Sequence, residues 1–302
     1  MPAGVCLEGS FVLYRDFDSQ EALDAEYVVE EKVDIDAVLA QYVALSKAAR
    51  STLDTRLDLR FGPTRDEHLD LYLAGGGSVP RPVLVFVHGG YWRTLSSKEF
   101  GLVAPGPAAH GIDVVVTNYS LAPKVAIDEI TRQSRATVRW VYEHAASWGG
   151  DPNRIYVSGH SAGGQQVAML LETDWVGEYD LPADVIKGGI AVSGVFDLRP
   201  LPYTALAPAL QLSRGTIERQ SPLLREPRLG APLVVTWGEA ETAEFRRQSE
   251  DYIAACRAAG CDVHALPQPG VDHFQAILGF NTADGDLTHA LLEQMKRDPG
   301  SP

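Results

Sequence analysis

The stretch Gly159-His160-Ser161-Ala162-Gly163 lies between a short apolar run, Arg154-Ile155-Tyr156-Val157-Ser158, and a segment of helical spacing from Gln165 to Leu171. A strand can turn into a helix this abruptly only if the residues flanking the corner have almost no side chain, and Gly159 and Gly163 meet that demand. The corner lifts the Ser161 hydroxyl clear of the sheet. The helix that starts there aims unpaired N–H groups and a positive dipole end at the same point. The G-x-S-x-G pattern therefore implies a strand, a sharp turn and a helix, with a nucleophilic hydroxyl at the turn.

The rest of the chain repeats the same alternation. Continuous apolar runs at 83–87, 112–117, 155–158, 189–192 and 233–237 read as strands buried on both faces. Residues 262–266 read as the last strand. Helical patterns occupy 127–148, 243–259 and 286–297, and a further helix is expected over 35–50 with Asp34 as its N-cap. Residues 56–61 and 68–73 alternate like two antiparallel strands around Gly62-Pro63. Strand–helix alternation predicts an α/β fold with a mainly parallel central sheet flanked by helices. The 302 residues read as a single domain, 1–302. Residues 1–50 are expected to wrap or cap it, and the proline- and leucine-rich stretch 196–232 to form small helices over the site.

Charge and cysteine usage narrow the partners. With 26 Lys and Arg against 40 Asp and Glu, the net charge is −14, the wrong sign for nucleic acid or anionic membrane. No window approaches the roughly 18 apolar residues of a membrane span. Met1 to Arg15 has no basic start or sustained apolar segment, so no signal peptide is read. Cys6, Cys256 and Cys261 are expected as reduced thiols in a cytoplasmic protein. The Gly75-Gly76-Gly77-Ser78 run is a loop, since no Gly-Lys-Ser/Thr follows it. Neither a metal-binding spacing nor a cofactor motif occurs, so no metal and no cofactor are expected. The mixed charges of 243–259 (Glu244, Arg246, Arg247, Glu250, Asp251) read as a solvated face.

A serine hydroxyl needs a base, a group to orient the base, and donors for the developing oxyanion. In α/β-hydrolases these follow in the order Ser, then Asp or Glu, then His. His273, in the loop after the last strand, is the base candidate; His264 and His289 fall within a strand and a helix. Glu241, just past the strand 233–237, is the acid candidate. Glu239 and Glu244 are its rivals, with Glu244 placed on the following helix and pointing away. His88-Gly89-Gly90-Tyr91-Trp92 directly follows the strand 83–87 and should supply the oxyanion hole through the N–H groups of Gly90 and Tyr91, joined by that of Ala162. His88 reads as a residue that holds this loop by hydrogen bonds. Tyr91 and Trp92 offer an aromatic surface beside the hole, with Trp92 read first as scaffold beneath the loop.

These residues resemble the kynurenine formamidase (arylformamidase) branch of the α/β-hydrolases, near the hormone-sensitive-lipase-like esterases. The HGGYW string at 88–92 is the sharpest match, since the lipase-like relatives usually carry a third glycine. Further matches are Asn118-Tyr119-Ser120-Leu121-Ala122-Pro123, 151–155 leading into GHSAGG, 193–198, 244–249 and Asp272-His273-Phe274. They span roughly residues 65 to 295. The acid of that family is often aspartate where this chain has Glu241. The resemblance implies hydrolysis of N-formyl-kynurenine in tryptophan catabolism, a small and aromatic acyl amide as substrate, no cofactor, and a homodimer. A short-chain carboxylesterase with the same triad is the alternative, and a non-catalytic ligand-binding homologue the remaining one.

Overall fold

The protein is described from a computed structural model, covering residues 12–75 and 80–297. Cys6, the first part of the expected N-terminal wrap and Gly76-Gly77-Ser78 lie outside the described residues.

Eight strands form one sheet: β1 (Asp54–Arg60), β2 (His68–Leu73), β3 (Arg81–Val87), β4 (Asp113–Thr117), β5 (Gly150–His160), β6 (Ile186–Val192), β7 (Leu233–Gly238) and β8 (Val263–Gln268). Their order is β1-β2-β4-β3-β5-β6-β7-β8. Every pairing from β4 to β8 is parallel, while β2 runs antiparallel to both β1 and β4. Val-rich β3 and β4 are buried along nearly their whole length, as β-branched strands covered on both faces should be. β5, which leads into Ser161, lies between β3 and β6, near the middle of the sheet, where its carboxyl end is flanked by loops from both sides.

Among the described residues six helices are at least eight residues long: α1 (Gln20–Tyr27), α2 (Ile35–Thr52), α3 (Ile127–His144), α4 (Ala162–Leu171), α5 (Ala243–Ala258) and α6 (Asp286–Arg297). All ten residues of α4 are buried, which its run of small and apolar side chains permits. Helix α3 buries Ile127, Ile130, Ser134, Thr137, Val138 and Val141 along one stripe. It stops at His144 rather than Trp148; a single 3₁₀ turn follows, and Gly149 at φ 87° closes it.

The N-terminal segment is fastened to α5. Tyr27 donates its hydroxyl to Glu244 Oε2 (2.7 Å), Gln248 Nε2 donates to the Tyr27 hydroxyl (2.9 Å), and Thr242 Oγ1 donates to the Glu26 carbonyl (2.8 Å). This corrects the expectation of a solvated charged face on α5 at Glu244 and Arg247; Arg246 and Glu250 are exposed. Glu244 is 5% exposed, and Arg247 grips it through two nitrogens at 2.6 and 2.7 Å while also reaching Asp251. Burial alone would raise the Glu244 pKa, but its bonds from Arg247 and Tyr27 outweigh that and hold it lowered. The charges were legible; the segment that covers them, 216 or more residues away, was not.

The stretch 196–232 folds into short helical pieces. Its Gln220 accepts from Thr131 of α3 at 2.7 Å and, through its carbonyl, from Gln165 of α4 at 2.9 Å.

Candidate active site

Ser161 occupies the corner between β5 and α4 with φ 56° and ψ −115°, a conformation strained for a residue with a side chain. Close packing holds it there. A side chain on Gly163 would overlap the Val87 carbonyl oxygen, and one on Gly159 would overlap the Gly163 carbonyl. The Ser161 N–H donates to the Val192 carbonyl of β6 (2.8 Å). Corner, β3 and β6 therefore lock together.

Two loops bring the other groups to this corner. His273 lies between β8 and α6, where Asp272 Oδ1 accepts from the Phe274 and Gln275 N–H groups and shapes the turn. Its Nδ1 is 2.8 Å from Glu241 Oε2. A carboxylate at Nδ1 keeps the proton there and leaves Nε2 as the basic nitrogen. The Glu241 side chain is fully buried and saturated: Oε1 accepts from the Gly238 N–H (2.7 Å) and from Ser193 Oγ (2.6 Å). Glu239 is exposed, and Glu244 points to Tyr27 and Arg247. Ser161 and His273 line one cavity without a direct hydrogen bond between them; such contacts often tighten only when substrate binds.

The glycine-rich turn after β3 runs against the corner. A side-chain carbon on Gly89 would sit 3.3 Å from Ser161 Cβ. Gly90, Tyr91 and Trp92 have φ of 105°, 47° and 56°, three successive left-handed residues. The Gly90 carbonyl accepts from the Arg93 and Thr94 N–H groups, and the Trp92 carbonyl from the Ala122 N–H. The Tyr91 hydroxyl donates to the Tyr27 carbonyl (2.5 Å), tying the turn to the N-terminal segment. Among the described residues the N–H groups of Gly90, Tyr91 and Ala162 have no acceptor. Three such donors near a nucleophile can stabilise an oxyanion.

His88 donates Nδ1–H to the Gly89 carbonyl (2.8 Å) and stacks on Tyr119 with ring centroids 4.0 Å apart. Burial pushes its pKa down to about 4, so the ring stays neutral. Trp92 is fully buried and does not line the cavity. The aromatic wall comes instead from Tyr42, Tyr91, Phe100 and Phe274. Among the described residues no group of three or more His, Cys, Asp or Glu could hold a metal ion, and Cys256 and Cys261 are free thiols.

Two contributors escaped the sequence reading. His160, whose pKa burial drives well below the usual histidine range, donates Nε2–H to the His273 carbonyl (2.8 Å) and so fastens the His273 loop to β5. Ser193, at φ 52° off the end of β6, holds Glu241; its place at the carboxyl end of a buried strand was the available signal. The N-terminal segment, expected as a wrap or cap, supplies Val28, Val29, Ile35 and Leu39 to a cavity of about 370 Å³. No residue of 196–232 lines it.

Sheet order, corner serine and buried His–Glu pair define an α/β-hydrolase. A solved structure from Silicibacter sp. TM1040, titled as a candidate thioesterase, superposes with a TM-score of 0.79 at 28% identity, over 89% of this chain and 98% of that one. The BD-FAE family model matches residues 69–183. The kynurenine formamidase of Danio rerio is 32% identical over 92% of this chain and 97% of its own length, and that of Salmo salar 34% identical over 86% and 90%. The chain belongs to the kynurenine formamidase family and is a hydrolase. Among the described residues no helix is long and apolar enough to cross a membrane.

Proposed function

We propose that the protein removes the formyl group from an aryl formamide such as N-formyl-kynurenine, through a Ser161–His273–Glu241 triad and a formyl-enzyme. The observation that carries the reading is the buried His273–Glu241 pair, at 2.8 Å, whose histidine lies on the wall of the cavity that Ser161 also lines. Ser161 Oγ attacks the formyl carbon as His273 Nε2 takes its proton, and Glu241 stabilises the resulting imidazolium. The N–H groups of Gly90, Tyr91 and Ala162 hold the oxyanion. His273 returns the proton to the leaving aryl nitrogen as the C–N bond breaks. Water, deprotonated by the same ring, then releases formate from the serine ester. The aromatic wall of Tyr42, Tyr91, Phe100 and Phe274 favours an aryl leaving group.

The test is kcat/KM for N-formyl-kynurenine against p-nitrophenyl acetate, with Ser161→Ala as control. Preference for the formamide, lost by several orders of magnitude in Ser161→Ala, supports the reading. Turnover of the ester alone would make the protein a short-chain carboxylesterase with the same triad. Near-full activity in Ser161→Ala would remove the triad altogether.

A further inference from the structure

Glu30 and Arg93 meet on the wall of the same cavity, one from the N-terminal segment and the other three residues beyond Gly90. Their ion pair is only half made. Arg93 Nη2 donates to Glu30 Oε1 at 3.0 Å, while Glu30 Oε2 and Arg93 Nε are shut off from solvent with no partner among the described residues. Two other arginines make fuller contacts. Arg199 forks onto both oxygens of Asp197, and Arg247 spans Glu244 and Asp251.

A single-contact pair whose side chains are 30% and 29% exposed contributes little stability. Its two orphaned polar atoms each carry a desolvation cost. Breaking such a pair is cheap when an incoming ligand supplies a better partner to each half. Glu31 adds a second carboxylate to a wall that is otherwise largely apolar, giving two negative charges and one positive. A bare anion would be repelled by the glutamates and a bare cation by Arg93. A group that carries both charges on one carbon suits the site.

We propose that Glu30 and Arg93 form a head-group site for an α-amino acid. Arg93 turns its planar fork to the substrate carboxylate, and Glu30, with Glu31 beside it, takes the ammonium. The site rests on the reading of this cavity as the aryl formamide site and narrows its substrates to those whose ring bears an amino-acid side chain. The pair also spans the N-terminal segment and the loop of the proposed oxyanion donors, so a bound head group would bridge both.

The test uses four formanilides differing only in their side chain: N-formyl-L-kynurenine, its decarboxylated amine, its deaminated acid and the head-less 2-formamidoacetophenone. The readout is the ratio of kcat/KM values between substrates, within each of wild type, Arg93→Met and Glu30→Gln. Wild type should favour the zwitterion over the head-less ring tenfold or more, chiefly through KM. Arg93→Met should collapse the preference for a carboxylate, and Glu30→Gln the preference for an amine. This crossed pattern is something a purely structural pair would not produce. Absent preference in wild type, ratios unmoved by both variants, or an equal fall for all four substrates would each overturn the site. If Arg93→Met does not fold, the near-isosteric Glu30→Gln decides alone. If no formamide is hydrolysed, the formamidase reading falls, and the same ratios measured with O-acetyl-L-tyrosine and p-tolyl acetate still decide the head-group site.

Discussion

Acid should loosen this protein through His88 before it reaches the carboxylates. The ring is completely buried between Tyr119 and Phe100, spends its one proton on the Gly89 carbonyl, and has no partner at Nε2. A second proton would charge a ring that no water or carboxylate can compensate, and so its pKa falls to about 4 from an unfolded value of 6.5. The folded pKa lies below the unfolded one, so the unfolded chain binds the extra proton more readily in acid. The contribution of His88 is therefore complete above pH 6.5, shrinks as pH falls, and is gone below pH 4. Between pH 7 and pH 5 the loss is about 2 kcal/mol. His160 acts in the same direction. Urea unfolding at both pH values, in wild type and His88→Gln, isolates the effect. The variant starts less stable, having lost the stacked ring, but its stability should fall by about 2 kcal/mol less over that range. Equal pH dependence in the two proteins would refute the argument, because every other titrating group is common to both.

Three further outcomes are expected. Glu241→Gln keeps a side chain of the same shape but removes the charge opposite His273 Nδ1, and kcat should drop by about 10²- to 10⁴-fold with little change in unfolding midpoint. Gly90→Ala puts a methyl group into the Thr94 carbonyl at φ 105°, which displaces the loop; kcat should fall about 10²-fold or more while a fluorophosphonate still labels Ser161 slowly. Tyr27→Phe leaves Glu244 and Gln248 short of a buried partner, and should cost about 1–3 kcal/mol in chemical unfolding.

The sequence points to the candidate triad because that part of the site is local. A glycine-flanked serine after an apolar strand can turn only one way, and the Gly-Gly turn after β3 and the loops after β7 and β8 all open at the carboxyl edge of a parallel sheet. Position in the chain thus stood for position in space, and Glu241 could be set above Glu239 from its distance to the strand end. What a residue does once it arrives was less legible. Ser193 is one hydroxyl among many until Glu241 Oε1 is seen 2.6 Å away. The scaffold reading of Trp92 fits its burial, while three left-handed residues in succession turn Tyr91 to the cavity.

A wrap or cap by the N-terminal segment was legible, but the residues it sets on the cavity wall were not. Residues 27–42 carry no catalytic motif, and their role exists only through contacts with residues more than 50 positions away: Tyr91 onto the Tyr27 carbonyl, Arg93 onto Glu30, and the Tyr42 hydroxyl onto the Phe274 carbonyl. Two of these three contacts land on the loops that hold the proposed oxyanion donors and the other on the loop of His273. A triad and its donors suffice to cleave many small esters and amides, so the core of the fold cannot by itself choose among them. The choice falls to whatever closes the cavity above them, and here that is a segment tied by side chains to the loop of the proposed oxyanion donors and to that of His273. Substitutions in 28–42 should therefore alter which substrates are taken more than how fast the bond is broken, and KM should move further than kcat. A set of such variants changing kcat for every substrate alike would show that the segment only supports the loops.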